Sequence, residues 1–385
     1  MTRKVIVVTG NKYPNGDAGA VRQHVFSKIL AEIGYTPVII GMGATTFFKI
    51  DKYDGISYYS LRYPSSSYLF RALGRFLFVN NLKKIINSIE AKEIGAILFV
   101  SGDYRTISYL KKYSAKHKIK LVHDSVEWYS SCEFKKGEKD PEYRKNNLLN
   151  TKLIDAGFRV IAISTFLEQY FISKGNKTIR VPVILDVEKT PFSCECLSKE
   201  RIIVYAGNMA GKDQIDKFIQ ALERVSKRNS TNIKLKIFGI TYEQYIKRNS
   251  RISETVLGSS VLFFGRVSRD RICEELKNAD FTILMRPSEE RYAKAGFPTK
   301  VVESLATGTP VICNYSSDLK LYLKDGENSI IINECSVDEC VSKINLIATL
   351  TDNEIISMKK AARITAEDKF DWRLYIEKVN SLFND

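Results

Sequence analysis

The chain has 385 residues, of which 44% are hydrophobic, with 59 Lys/Arg against 44 Asp/Glu for a net charge of +15. That length predicts two domains, each with its own core, in a soluble globular protein. No apolar run reaches the ~18 residues of a membrane span, and MTRKVIVVTG lacks the apolar region and cleavage site of a signal peptide, so the expected location is the cytoplasm.

Buried-strand patterns at 4–10, 36–43, 95–103, 120–126 and 159–164 alternate with helical stretches at 20–33, 81–92, 105–116 and 165–174. Such alternation predicts a parallel sheet wrapped by helices. A Pro-punctuated polar segment over 180–200 interrupts it, and strands then resume at 201–207, 235–240, 261–267, 281–287 and 310–314. The reading is two doubly wound α/β domains, 1–188 and 189–371, with the terminal helix within 372–385 returning to the first. A ligand is expected at the seam, where loops from the carboxyl ends of both sheets meet. Residues 68–84, YLFRALGRFLFVNNLKK, interleave bulky apolar side chains with Arg and Lys. On a helix this suits a membrane interface, or equally a core-packed helix with a basic outer face.

The charge is uneven: residues 1–198 hold 30 Lys/Arg against 18 Asp/Glu, and the remainder 29 against 26. Neither a recognition helix nor aromatic-rich RNA-binding strands accompany the basic half, so anionic lipid headgroups or a phosphorylated substrate fit better than nucleic acid. A solvated basic surface is the alternative. Cys132, Cys194, Cys196, Cys273, Cys313, Cys335 and Cys340, with His24, His117 and His123, show no metal-ligand spacing. The cysteines read as reduced and structural, and no metal site is expected.

The segment AKAGFPTKVVESLATGTPVI, 293–312, predicts a helix beginning just after Pro298. Its first backbone N–H groups and Lys300 favour an anion, and Glu303, one turn on, can accept two hydrogen bonds from a vicinal diol. Phosphate plus diol is a nucleotide pattern, although a structural βαβ element would read the same. Two further turns add weight. IIVYAGNMAGKDQID places Lys212 between a strand and a helix, and TGNKYPNGDAGAVRQHV places Gly16 and Gly19 similarly.

Taken together these segments resemble the retaining glycosyltransferases of the GT-B fold, family 4, which act in capsule, lipopolysaccharide and exopolysaccharide synthesis. The resemblance spans nearly the whole chain and is most specific in its second half, where the family has Glu-Gly-Phe-Gly, four residues, a Glu, a small-residue turn and a Pro-Val-Ile strand. It implies two Rossmann-like domains facing a central cleft. Glu303 would bind the donor ribose, and the backbone of Gly296, Phe297, Pro298 and Thr299, with Lys300, would meet the sugar and diphosphate. Arg266 and Val267 in VLFFGRV would lie beside the base. Lys212 would neutralise the leaving diphosphate, Gly19 matches the glycine of the first-domain loop, and His123 falls near the transfer site. Two departures stand out: Ala295 replaces the first Glu of the paired motif, and Asn208 replaces an Arg after Gly207. Arg286, Arg291 or Lys294 would then assist Lys212.

No Asp-x-Asp occurs in the sequence, so cations and helix N-termini are expected to stabilise the leaving diphosphate without a divalent metal, and no cofactor beyond the nucleotide-sugar substrate is expected. The resemblance further implies front-face displacement with retention. In LVHDSVEWYSS, Asp124 and Glu127 are candidates to orient an acceptor, or Asp124 and Ser125 cap a turn while Trp128 packs in the core. Asp318 reads as a helix cap. The expected activity is transfer of a sugar from a UDP-linked donor to a saccharide on a lipid diphosphate carrier, at the inner membrane face. The alternatives are a glycosyltransferase-like binding subunit and, less well matched for want of a carboxylate-rich site, a nucleotide-sugar 2-epimerase.

Overall fold

The computed structural model describes residues 3–14, 16–43, 47–62, 68–196, 199–209, 212–227, 232–248 and 260–384, with the side chains of 47 and 68–76 excluded. It divides into two compact units, Met1–Leu185 with Trp372–Asp385, and Asp186–Asp371. Arg363, itself buried, holds the segment just past the division at Leu185 to the second unit. Its guanidinium donates to the carbonyls of Val187 (2.9 Å), Thr190 (3.1 Å) and Ala306 (2.6 Å).

Among the described residues the first unit contains β1 (Lys4–Lys12), α1 (Ala18–Glu32), β2 (Thr36–Gly43), β3 (Phe47–Tyr53), β4 (Ile56–Arg62), α2 (Tyr68–Ser88), β5 (Ile94–Phe99), α3 (Tyr104–His117), β6 (Lys120–Ser125), α4 (Pro141–Leu148), α5 (Thr165–Ser173 after β7, Arg159–Ala162) and β8 (Lys177–Arg180). The sheet order is β3-β4-β2-β1-β5-β6-β7-β8. All pairs are parallel except β3 with β4. That hairpin turns at Asp54 (φ 45°) and Gly55 (φ 80°), a left-handed pair suited to a two-residue turn. The apolar runs of the central strands follow from burial on both faces: Val5, Ile6, Val7, Ile97, Leu98 and Phe99 are fully enclosed.

α2 begins at Tyr68, and its second half puts Phe78, Val79, Leu82, Ile85 and Ile86 in the core while Leu77 stays exposed. This part is therefore a core-packed helix with Lys83 and Lys84 over the rings of Tyr109 and Phe48; the side chains of 68–76 lie outside the described residues.

The second unit contains β9 (Arg201–Ala206), α6 (Ile215–Ser226), β10 (Ile233–Phe238), α7 (Tyr242–Arg248), β11 (Val261–Gly265), α8 (Arg269–Lys277), β12 (Phe281–Leu284), α9 (Arg291–Ala295), α10 (Thr299–Ala306), β13 (Val311–Cys313), β14 (Ser329–Ile331), α11 (Val337–Thr349) and α12 (Asp352–Phe370). Its parallel sheet runs β11-β10-β9-β12-β13-β14. This is the 3-2-1-4-5-6 order of a dinucleotide-binding sheet, with its switch point between β9 and β12. A last helix, α13 (Ile376–Asn384), returns to the first unit. There Val379, Leu382 and Phe383 join its core. Lys120 Nζ donates to Phe383 O at 2.6 Å and Tyr35 OH to Asn384 Oδ1 at 2.8 Å. Among the described residues no helix is long and apolar enough to cross a membrane.

Candidate functional site

In a doubly wound sheet the crevice for a ligand opens outside the carboxyl ends of the two strands flanking the switch point. In the second unit those strands are β9, which ends in Gly207, and β12, which leads to Arg286. α10 begins close by, with Pro298 as its N-cap residue. A single carboxylate joins the three segments. Asp213, buried between β9 and α6, accepts from Lys300 Nζ at 2.7 Å, from Arg286 Nε at 2.9 Å and from Tyr205 OH at 2.8 Å. Burial alone would raise its pKa, but Lys300 and Arg286 outweigh that and hold it at about 2. Lys300 also lies over the Tyr205 ring, 4.4 Å from its centroid, and burial pushes its pKa down against the pull of Asp213.

Gly207 is required by the same cluster. A Cβ there would fall 2.3 Å from Lys300 Nζ and 2.6 Å from Tyr205 OH, and Gly239 (φ 105°) brings its backbone against Gly207 on the other side. The Arg286 backbone is pinned in turn, its N–H donating to Asn314 Oδ1 at 2.8 Å while Asn314 Nδ2 donates to its carbonyl at 2.6 Å.

Glu303 sits one turn along α10 from Lys300. Burial raises its pKa, opposed by Arg269 and Lys300; the Arg269 guanidinium stands 3.7 Å away. A cavity of about 40 Å³ is lined by Glu303, Lys300, Val204, Ala206, Leu276 and Thr282, among others. Lys212 is in the same loop as Asp213, its ammonium over the Tyr292 ring at 5.4 Å. Asn208, Arg266 and Val267 are exposed, at the ends of β9 and β11. Gly296 and Thr299 are partly exposed and Pro298 is buried. The Phe297 side chain packs into an aromatic cluster with Tyr322 and Phe370, centroids 5.7 and 5.9 Å away, so only its backbone can serve a ligand. Ala295 is fully buried.

The first unit gathers its candidates less completely. Gly19 lies at the start of α1, its N–H donating to the N-cap Asp17 at 3.1 Å, and a Cβ would meet Asn11 Nδ2 at 2.0 Å. His123, within the second half of β6, is buried beneath Phe99 and Phe171, with Nδ1 3.3 Å from Phe99 O. Burial lowers its pKa to about 4, so it is neutral at pH 7.

Asp124 corrects an expectation. It is wholly buried and its oxygens are taken by Arg22 (2.8 and 2.9 Å) and Gln23 (3.2 Å), so it neither orients an acceptor nor caps a turn. Arg22 also donates to Pro182 O at 2.6 Å and Val181 O at 3.1 Å, tying α1 and β6 to the segment after β8. Glu127 is exposed and hydrogen-bonded to the Tyr129 hydroxyl. Trp128 is buried, donating to Asn147 at 3.0 Å. Asp318 precedes a short 3-10 turn and makes no side-chain capping bond to it, against the expectation of a helix cap.

Sequence reasoning missed Asp213 and Tyr205 as organisers of the cations. The available signal was an acidic residue directly after Lys212 in an otherwise basic, Gly-bearing loop.

Residues 186–367 match the family model described as Glycosyl transferases group 1. The sequence matches no curated protein. Among solved structures, sucrose-phosphate synthase from Thermosynechococcus elongatus aligns with TM-score 0.74 at 14% identity, covering 99% of this chain and 98% of that one. A glycosyltransferase from Rickettsia africae aligns at TM-score 0.68 and 16% identity, covering 99% and 98%. Anabaena HepE, solved with UDP and glucose, aligns at TM-score 0.69 and 15% identity, covering 99% of each chain. The chain has the GT-B fold of these glycosyltransferases.

Proposed function

We propose, from the match of residues 186–367 to the Glycosyl transferases group 1 model, that the chain is a retaining, metal-independent glycosyltransferase. It moves a hexose or N-acetylhexosamine from a UDP-linked donor to a saccharide carried on a lipid diphosphate, in cell-surface polysaccharide synthesis. The observation that carries this reading is the convergence of Lys300, Arg286 and Asp213 at the sheet's switch point, one helical turn from Glu303. It supports a diphosphate between the cations and a ribose diol on the Glu303 carboxylate. HepE, of the same fold, was solved with UDP.

In this reading Lys212, Arg286 and Lys300 balance the charge that grows on the departing diphosphate. The acceptor hydroxyl attacks from the face the diphosphate leaves, and a phosphate oxygen takes its proton. The backbone around Gly296 and Thr299 borders the donor, while Arg266 and Val267 border the base. His123, neutral and enclosed, positions the end of β5 through Phe99 O and does not transfer a proton. Glu127 is the exposed carboxylate available to an acceptor.

Exposed Phe48, Ile50 and Leu77, with exposed Lys49 and Lys52, support peripheral contact between the basic first unit and an anionic membrane. Full burial of Ala295, where the family has a carboxylate, favours a second reading: a donor-binding subunit whose partner performs the chemistry.

The test is nucleoside diphosphate release from UDP-, GDP-, ADP- and dTDP-sugars, with and without lipid extract from the source cell. Release from one donor, raised by lipid and lost in Glu303→Ala and Lys212→Ala, supports a transferase. Silence across the panel from a folded protein that binds nucleotide supports the subunit.

A further inference from the structure

We infer that Asp213 is the positioning residue of the phosphate site, anchoring Arg286 and Lys300 so that their remaining donors serve a diphosphate. The inference rests on the donor-binding reading and deepens it. Asp213 is 5% exposed at its side chain and receives bonds from a strand residue (Tyr205), a loop residue after β12 (Arg286) and the first turn of α10 (Lys300). The β9–β12 pairing brings these segments to one end of the sheet, and Asp213 joins them there across separations of 8, 73 and 87 positions.

Two features point to an anion. One carboxylate faces two cations, leaving a net positive charge in a half-buried pocket, and Lys212 adjoins it in sequence. Arg286, 18% exposed, spends only Nε on Asp213; among the described residues its Nη1 and Nη2 make no hydrogen bond. A half-buried guanidinium with two idle donors is matched by the paired oxygens of a phosphate. The arrangement also accounts for Asn208: the cation absent after Gly207 is supplied from the end of β12, and Asp213 holds it there.

Charge and positioning predict opposite effects for Asp213→Asn. Removing a negative charge near a phosphate tightens binding if charge alone matters, whereas releasing Arg286 and Lys300 weakens it. The experiment titrates UDP, inorganic pyrophosphate and uridine into the full chain and the variant, with thermal midpoints alongside. The expected result is a loss of about tenfold or more in affinity for UDP and pyrophosphate, the size of a charge-assisted hydrogen bond, with uridine affinity unchanged. Equal or tighter UDP binding by the variant overturns the inference. Should Asp213→Asn fail to fold, Arg286→Gln leaves the Asp213–Lys300 pair intact; it is expected to show the same loss for UDP and none for uridine, and an unchanged UDP affinity overturns the inference. A wild-type chain that binds uridine diphosphate but loses nothing on either substitution refutes the positioning role alone. One that binds neither UDP nor pyrophosphate refutes the donor-binding reading beneath it.

Discussion

Replacing Gly207 by Ala adds one methyl group at the most crowded point of the site. That methyl would stand 2.3 Å from Lys300 Nζ, so the ammonium must retreat by roughly 1 Å to reach ordinary contact. The flexible lysine can move, but its 2.7 Å bond to Asp213 then stretches beyond hydrogen-bond range. A hydrogen bond to a charged group is worth about 1.5–3 kcal/mol, and Asp213 keeps Arg286 as a partner, so the lower half of that range is expected for stability. The effect on UDP affinity should be similar, roughly tenfold or more. Both tryptophans, Trp128 and Trp372, lie in the first unit, so urea unfolding followed by far-ultraviolet circular dichroism gives the first quantity and calorimetric titration of UDP the second. A Gly207→Ala protein as stable as wild type, binding UDP equally well, would refute the packing argument at this position.

Arg22→Met should destabilise the first unit by about 3–5 kcal/mol, since it strands the wholly buried Asp124 without its main partner; pairing it with Asp124→Leu should recover most of the loss in the same urea assay. For His123, the folded pKa of about 4 lies below the ordinary 6.5, so the unfolded chain takes up the proton first. Stability is therefore lost as pH falls from about 6.5 towards 4, by up to about 3 kcal/mol, and His123→Gln should flatten that part of the pH profile. Asp213 acts in a lower window: its pKa of about 2 against 3.8 gives stability present above 3.8 and lost as pH falls towards 2, about 2 kcal/mol in all, which Asp213→Asn should remove. Glu303→Gln should lower any preference for UDP over its 2′-deoxy analogue, measured by competition, because a neutral amide oxygen is a weaker acceptor for the diol than a carboxylate.

Both sheets were legible from short apolar runs such as RIIVYAG, since strands enclosed on two faces need apolar residues throughout. The helix start after Pro298 and the placement of Glu303 were equally local, readable from the Pro, Lys and Glu spacing. The β3–β4 hairpin escaped although YDGISYY carries an Asp-Gly turn, because residues 47–53 mix aromatic and charged side chains on an edge strand that is largely solvated. Asp124 was misread because its partner Arg22 is 102 positions away, and Asp213 was passed over because Lys300 is 87 positions away. A carboxylate's role is set by what folding brings to it, and no spacing rule reports that.

On the proposed function, the loops at the β9/β12 switch point hold a nucleoside diphosphate. Hydrogen–deuterium exchange of the full chain with and without saturating UDP tests it most directly. The expected result is slowed exchange at Gly207–Met209, Lys212–Gln214, Arg286 and Gly296–Glu303. UDP binding accompanied by protection elsewhere, with these segments unchanged, would contradict it.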